Sequence, residues 1–341
     1  MNPARTHPGR QRGVALITAV LIVSIAVIAA TAVLDAGHFA IQRTSTLQDS
    51  ARAWGYASGA EDWVRTVLER DAEDNDYDAL DDAWATPQSL PVENGVIQGR
   101  ITDATAQYNL NNLGLADDST NLGTSGQPDT EFQRQVRLFA RLIENIEGGT
   151  SLIPDPLVLA QSIRDWIDAD QNPTGSGRED NDYLSLDPPR RAANRPMASV
   201  TELRSVLDAM YDARSDDARK VYRLLLPHVT ALPVDGVTPI NVNTATPELL
   251  MALSAKPGGN ARLREFSELR EEQPLENPAQ ISEKLELIGG DADPSMLTVS
   301  TRLFRLQLEA VVGNGRVALY SLIYRSDRGT PVVLVRSTDT E

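Results

Sequence analysis

The longest apolar run of the chain, in RGVALITAVLIVSIAVIAATAVLDAG at residues 12–37, sets the first limit on its fold. The 21 residues Val14–Leu34 carry no charge and are broken only by Thr18, Ser24 and Thr31. As a helix rising about 1.5 Å per residue, this run spans roughly 30 Å, the thickness of a bilayer's hydrocarbon core. A cleavable secretory signal has a shorter apolar core, about 7–15 residues, with small residues at the cut. The preceding MNPARTHPGRQRG holds Arg5, Arg10 and Arg12 and no acid. Positive charge stays cytoplasmic, so the chain after Leu34 is expected on the exported side.

The pattern continues past the membrane. Phe39, Trp54, Ala57, Ala60, Val64 and Leu68 recur at helical intervals with charges between them, and no proline occurs from Gly13 to Thr86. One helix is therefore expected to run from membrane to globular domain, with Gly37, Gly55 and Gly59 as points where it could bend. Its first half is apolar all round and its second half amphipathic. That makes a stalk, embedded at one end and packed at the other.

Gly13 followed by VALITAVLIV and this amphipathic continuation resembles the N-terminus of type IV prepilin-like proteins. The resemblance implies that a prepilin peptidase cuts between Gly13 and Val14 and methylates the new amine. Glycine before the scissile bond leaves the backbone open to close approach. Pilin-like subunits normally carry glutamate at the fifth mature position, where the carboxylate is thought to pair with a neighbour's amino terminus. Here that position is Thr18. An unpaired carboxylate among apolar helices is strongly penalised, whereas a threonine hydroxyl can bond a carbonyl one turn earlier in its own helix. Within the family, absence of this glutamate is associated with the minor pseudopilin K of type II secretion.

Charge and composition exclude several functions. The formal net charge is −16, and removal of the leader's three arginines makes the exported part still more acidic, so nucleic acid is not an expected partner. With no cysteine, a disulfide scaffold, a thiolate metal site and a cysteine nucleophile are ruled out. The histidines, His7, His38 and His228, are too scattered for a zinc site or a serine triad. No enzyme constellation is expected.

The pattern along the chain predicts an α+β fold. Residues 71–95 are acidic and proline-marked, an irregular connection with a short helical piece. GVIQGRITDATAQYNLNNL alternates as two short strands. Helical patterns follow in TEFQRQVRLFARLIEN, capped by Asp129 or Thr130 and stopped by Gly148, then in PDPLVLAQSIRDWIDAD, SVTELRSVLDAM and DARKVYRLLLPHV. After about residue 297 the period becomes two. LTVSTRLFRLQLEAVVG, RVALYSLIYRSD and TPVVLVRST read as strands separated by the hairpin signals Gly-Asn-Gly and Ser-Asp-Arg-Gly. The expected order is a leader (1–13), a transmembrane and stalk helix (14–70) and the first part of a pilin-like body (71–124). A large all-helical domain (125–296) is then inserted before the closing strands (297–341) of a small antiparallel sheet.

The densest chemical signal is RDWIDADQNPTGSGREDNDYLSLDPPRR at 164–191. Against the EF-hand pattern D-x-[DN]-x-[DN]-G-x5-E, Asp168, Asp170 and Asn172 occupy the alternating oxygen positions and Glu179 the bidentate one. Pro173 stands where the turn glycine belongs and cannot supply its positive φ. Asp180, Asn181 and Asp182 add oxygens just beyond, and Asp165 lies one helical turn before Asp168. So many carboxylates in one loop need a hard cation or full solvation.

DWIDADQNP, EDNDYL, the segment Arg191–Pro196 and SVTELR are together similar to the helical domain of the minor pseudopilin K family. The resemblance implies a pair of calcium ions and falls first on Asp168, Asp170, Glu179 and Asp180. Asp165, Asn172, Asn181 and Asp182 follow, with backbone carbonyls completing the shells. PINVNTATPELLMAL at 239–253 resembles the start of a helix-hairpin-helix module, with Thr244 or Thr246 as cap and Pro247 in the first turn. The surrounding acids favour packing or protein interaction over phosphate binding there.

The resemblance implies a minor pseudopilin at the tip of a type II secretion pseudopilus, anchored by one span in the inner membrane with a periplasmic C-terminal domain. The implied partners are other minor pseudopilins, the major pseudopilin, the prepilin peptidase and the inner-membrane assembly platform. The alternatives are a single-span calcium-binding envelope protein that never assembles, and an exported DNA-binding receptor.

Overall fold

The computed structural model describes residues 12–115, 130–212, 215–233, 236–254, 259–270, 272–288, 294–326 and 330–338. The leader arginines Arg5 and Arg10, Asp129 and the Asp-Arg-Gly of the last hairpin signal lie outside the described residues.

One helix, α1 (Arg12–Asp74), runs unbroken through Gly37, Gly55 and Gly59, as the proline-free pattern predicts. The face it buries differs by one position from the expected stripe. Ala53, Ala57, Ala60, Val64 and Leu68 are buried, while Trp54 is 40% exposed and Phe39 70% exposed. Three alanines in that face let a sheet come close to the helix axis. Phe39 lies on the membrane side of the sheet, where nothing described in this chain packs on it.

Among the described residues, the sheet has five antiparallel strands in the order β1-β2-β7-β8-β9. Its members are β1 (Gln88–Val92), β2 (Gly95–Asp103), β7 (Leu303–Val312), β8 (Gly315–Tyr324) and β9 (Val332–Ser337). Phe304, Leu306, Ala310, Leu319 and Ile323 face α1 and complete that core. Two parts of the sequence reading are corrected here. The stretch 71–95 contains β1, which Pro91 hides from a strand pattern, because proline is tolerated only where the outer N–H needs no partner. The run 297–313 is not one strand: it splits into β6 (Leu297–Thr298) and β7, which pair in different sheets.

The strands run alongside α1, so the sheet has a lower and an upper end. At the lower end, Gly313 at φ +52° and Asn314 turn β7 into β8, and Asn314 N–H donates to Asp49 Oδ2 at 3.2 Å. At the upper end, Arg325 follows β8 and donates to Asp71 Oδ2 at 2.7 Å and to both Asp78 oxygens at 2.6 and 2.7 Å. Asp78 also accepts from Thr301 N–H at 2.7 Å. Midway, the buried Glu61 of α1 takes the Ser321 hydroxyl and the Arg336 guanidinium.

The helical domain leaves the sheet at the upper end, between β2 and β7. It contains β3 (Tyr108–Asn109), α2 (Glu131–Asn145), α3 (Gly149–Leu152), α4 (Pro156–Ile167), α5 (Asp180–Leu184), α6 (Leu203–Met210) and α7 (Asp217–Leu225). β4 (Val229–Thr230), β5 (Ile240–Asn241), α8 (Pro247–Ala252), α9 (Gly259–Leu269), α10 (Pro278–Ile288) and β6 complete it. Thr130 caps α2 in a capping box with Gln133, and Thr246 caps α8 with Pro247 in its first turn. Tyr108, Leu110 and Leu113 pack into this helical core, not under the sheet. The second strand read in GVIQGRITDATAQYNLNNL is therefore only two residues long, and its asparagines do different work.

That work occurs twice. In β3, Asn109 Oδ1 accepts from Asn111 N–H, and Asn111 exchanges both amide bonds with the backbone of Met197, at 2.8 and 3.0 Å. In β5, Asn241 Oδ1 accepts from Asn243 N–H, and Asn243 exchanges both bonds with Leu275, at 2.9 Å each. β3 pairs in parallel with β4, and β5 in parallel with β6. The helical domain is thus two units of one plan, each pinned by an Asn-x-Asn pair.

Candidate metal centre and membrane stalk

Helix α4 presents Gln161 and Asp165 on successive turns, Asp168 caps its C-terminal end, and the following loop folds back over them. Thr174 N–H donates to Asp165 Oδ1 at 2.9 Å, and Ser176 N–H to Gln161 Oε1 at 3.1 Å. Gly177 passes where only glycine fits, since any Cβ there would overlap the Asp165 carboxylate. The left-handed residue of the loop is Gly175, φ +60°, two places after Pro173, so this is not the EF-hand turn. The proline that breaks the motif is accommodated by moving the turn.

The fold-back brings Asp168, Asp170 and Glu179 together, with one oxygen of each within 4.8 Å of the others. Asp165 lies beneath them at 0% exposure and Glu179 is 4% exposed. Among the described residues, Asp165 Oδ2, Asp168 Oδ1 and both Glu179 oxygens are buried without a hydrogen-bond partner. Buried carboxylate oxygens left this way are costly unless protonated or held by a cation. Burial raises the Asp165 carboxyl to about 6. Burial, then the charges of Asp165, Asp168 and Asp170, raises Glu179 to about 7. Several orphaned hard oxygens that repel one another fit a hard divalent ion such as calcium.

Asp180 and Asp182, also singled out from the sequence, have protein partners for their carboxylates. Asp180 Oδ1 accepts from Ala192 N–H at 2.9 Å, and Arg191 reaches its Oδ2 at 3.5 Å. Asp182 Oδ2 accepts from Glu179 N–H at 3.2 Å, holding the start of α5. Asn172 contributes its N–H to Asp170 Oδ1 at 2.7 Å. Asn181 lies in α5, exposed. The sequence reading missed Asn194, at φ +47°, whose side chain donates to the Asp170 carbonyl at 3.0 Å. Asparagine tolerates that left-handed conformation, which is the only local signal it gives. A second carboxylate group, Asp71, Asp78 and Asp82, also converges, but Arg325 already pairs with Asp71 and Asp78, and Asp82 accepts from the Ala79 N–H and the Trp84 indole.

Comparison with known proteins decides the family. Residues 106–234 match the model of type II secretion system (T2SS) protein K. The type II secretion system protein K of Pseudomonas aeruginosa is 32% identical over 338 residues, covering 96% of this chain and 92% of that one. Its counterpart in Pectobacterium carotovorum subsp. carotovorum is 32% identical over 334 residues, 95% of each chain. The chain belongs to the type II secretion system protein K family. A chain of the solved GspK-GspI-GspJ complex from enterotoxigenic Escherichia coli superposes with a TM-score of 0.68 at 26% identity, covering 88% of this chain and all of that one. This protein is accordingly a minor pseudopilin of type II secretion, anchored by one span in the inner membrane.

The stalk carries that anchor. From Val14 to Leu34 every side chain of α1 is exposed within the monomer, including Leu16 at 68% and Ile22 at 66%. The Thr18 hydroxyl donates back to Val14 and Ala15 carbonyls at 3.1 and 3.0 Å, the arrangement expected where the pilin glutamate is missing. Ser24 and Thr31 do the same. Every polar side chain of the span is satisfied inside its own helix.

Proposed function

We propose that this pseudopilin caps the tip of the pseudopilus, primes its assembly with other minor pseudopilins, and carries calcium in its helical domain. One observation carries the tip assignment: the helical domain joins the sheet beside Asp71 and Asp78, at the end of α1 farthest from the apolar run. A domain of that size over the end of the stalk blocks stacking of a further subunit above it. Thr18 agrees, since a first subunit meets no earlier amine that a glutamate could neutralise. Likeness to a chain of the GspK-GspI-GspJ complex supports small assemblies with two other minor pseudopilins as the working unit.

In the metal site, Asp168, Asp170 and Glu179 supply the first ligands and Asp165 the oxygen beneath them. Asp180, Asp182 and Asn194 hold the loop closed around the ion. Calcium would fix the loop without taking part in chemistry, and the chain's role is assembly, not catalysis. The test of the tip assignment is gold labelling of this subunit in purified filaments. Labels confined to one end are expected; labels spaced along the shaft would refute it.

A further inference from the structure

We infer that β9 and the groove beside it seat a neighbouring minor pseudopilin, which adds an extended apolar segment to this edge of the sheet. The inference rests on the assembly reading above and names the surface that serves it. The two sheet edges differ. β1 carries Pro91, which blunts strand addition, whereas β9 has no internal proline or lysine and its Arg336 turns back onto Glu61. Val332, Leu334 and Val335 stand 53, 46 and 51% exposed. That is an unusual concentration of apolar surface on the edge strand of a monomer's sheet.

A bulge directs two of these side chains. Val335 pairs with Leu322 and Val333 with Ile323, so Leu334 is the extra residue. Val335 lines a cavity of about 180 Å³ with Leu322, Leu232 and Pro233. Leu334 lines a second, of about 640 Å³, with Tyr324 and Pro233. Strand edge and groove thus form one surface, with backbone groups to pair and apolar space to fill.

Its occupant follows from where it lies. Arg65 donates to the Pro331 carbonyl at 2.7 Å, Thr330 to Glu69 at 2.9 Å, and Arg336 to Glu61, so β9 rides on residues 61–69 of α1. That places it roughly 40 Å above the apolar run, at about 1.5 Å per residue, out of reach of lipid. It continues the exposed lower stalk, so a subunit laying its own helix along this one reaches β9 directly. A second copy of this chain, at net charge −16, is the less complementary occupant.

The chain lacks cysteine, which permits a clean test. Full-length chains with Val332→Cys or Val335→Cys, carrying a thiol-linked photo-crosslinker, would be activated in membranes that contain all pseudopilins of the system. Crosslinks to another minor pseudopilin are expected. Val335→Lys with Val332→Lys should lower co-purification of those partners at least tenfold with an unchanged melting temperature. Crosslinks only to a second copy or to an exported protein overturn the inference, as does full co-purification of partners with the double lysine variant. If the wild-type chain captures no minor pseudopilin at all, the assembly reading itself falls.

Discussion

Gly177 lies so close to Asp165 that the hydrogen it carries in place of a Cβ is what leaves room for the Asp165 carboxylate. Gly177→Ala should therefore push Asp165 away from Asp168 and Glu179. Calcium at about 100 times its Kd should stabilise the folded wild type by about 2.7 kcal/mol, by mass action. We expect Gly177→Ala, and Asp168→Ala combined with Glu179→Ala, to lose most of that gain in thermal melts. Identical wild-type melts in calcium and in chelator would remove the metal.

The same site should make calcium binding depend on pH. Without metal, Glu179 sits at about 7 and Asp165 at about 6, both raised above their ordinary values by burial. Between about pH 4 and 7 the folded chain then holds more protons than the unfolded one. Its metal-free stability therefore falls as pH rises through that window. Calcium needs the ionised forms, so its stabilising effect should be small at pH 5 and large at pH 7.5. Melts at both pH values, with calcium or chelator, measure this. A pH-independent calcium effect would contradict it, and Glu179→Gln should flatten the chelator curve.

Asp78 and Arg325 should behave as a buried pair. Asp78→Ala leaves the guanidinium facing Asp71 alone and should cost about 3–5 kcal/mol in chemical denaturation. Asp78→Leu with Arg325→Met should cost much less than the two single changes together, because no buried charge is stranded. Additive losses would mean that the two residues act independently.

Processing has its own expectation. The mature chain should begin at a methylated Val14, and Gly13→Leu should retain the leader. N-terminal mass spectrometry of the membrane-extracted protein reads both outcomes. Thr18→Glu should never improve secretion, because the hydroxyl already satisfies itself on Val14 and Ala15.

The stalk helix, the last three strands and the acidic loop were legible in the sequence because each rests on a local pattern. The Val14–Leu34 run needs only composition, and β7 to β9 need only alternation and a Gly-Asn-Gly turn. The carboxylates of 168–179 could be found by spacing, although Pro173 misdirected the turn that Gly175 makes. What escaped is long-range. Pro91 concealed an edge strand whose identity depends on having no outer neighbour. Asn111 and Asn243 look like loop residues until Met197 and Leu275, far along the chain, complete their bonds. Trp54 fits the helical stripe by spacing, but the buried register falls on Ala53 because the sheet requires a small side chain at closest approach.

The two clasps between sheet and stalk have a mechanical consequence. Asp49 holds the β7–β8 turn below and Arg325 ties Asp71 and Asp78 above. They lie about 33 Å apart along α1, at about 1.5 Å per residue. Fastened at both ends, with Glu61 gripping Arg336 between them, the sheet cannot slide or swivel on the helix. A push delivered to the membrane end would reach the helical domain as displacement instead of being lost in bending at the joint.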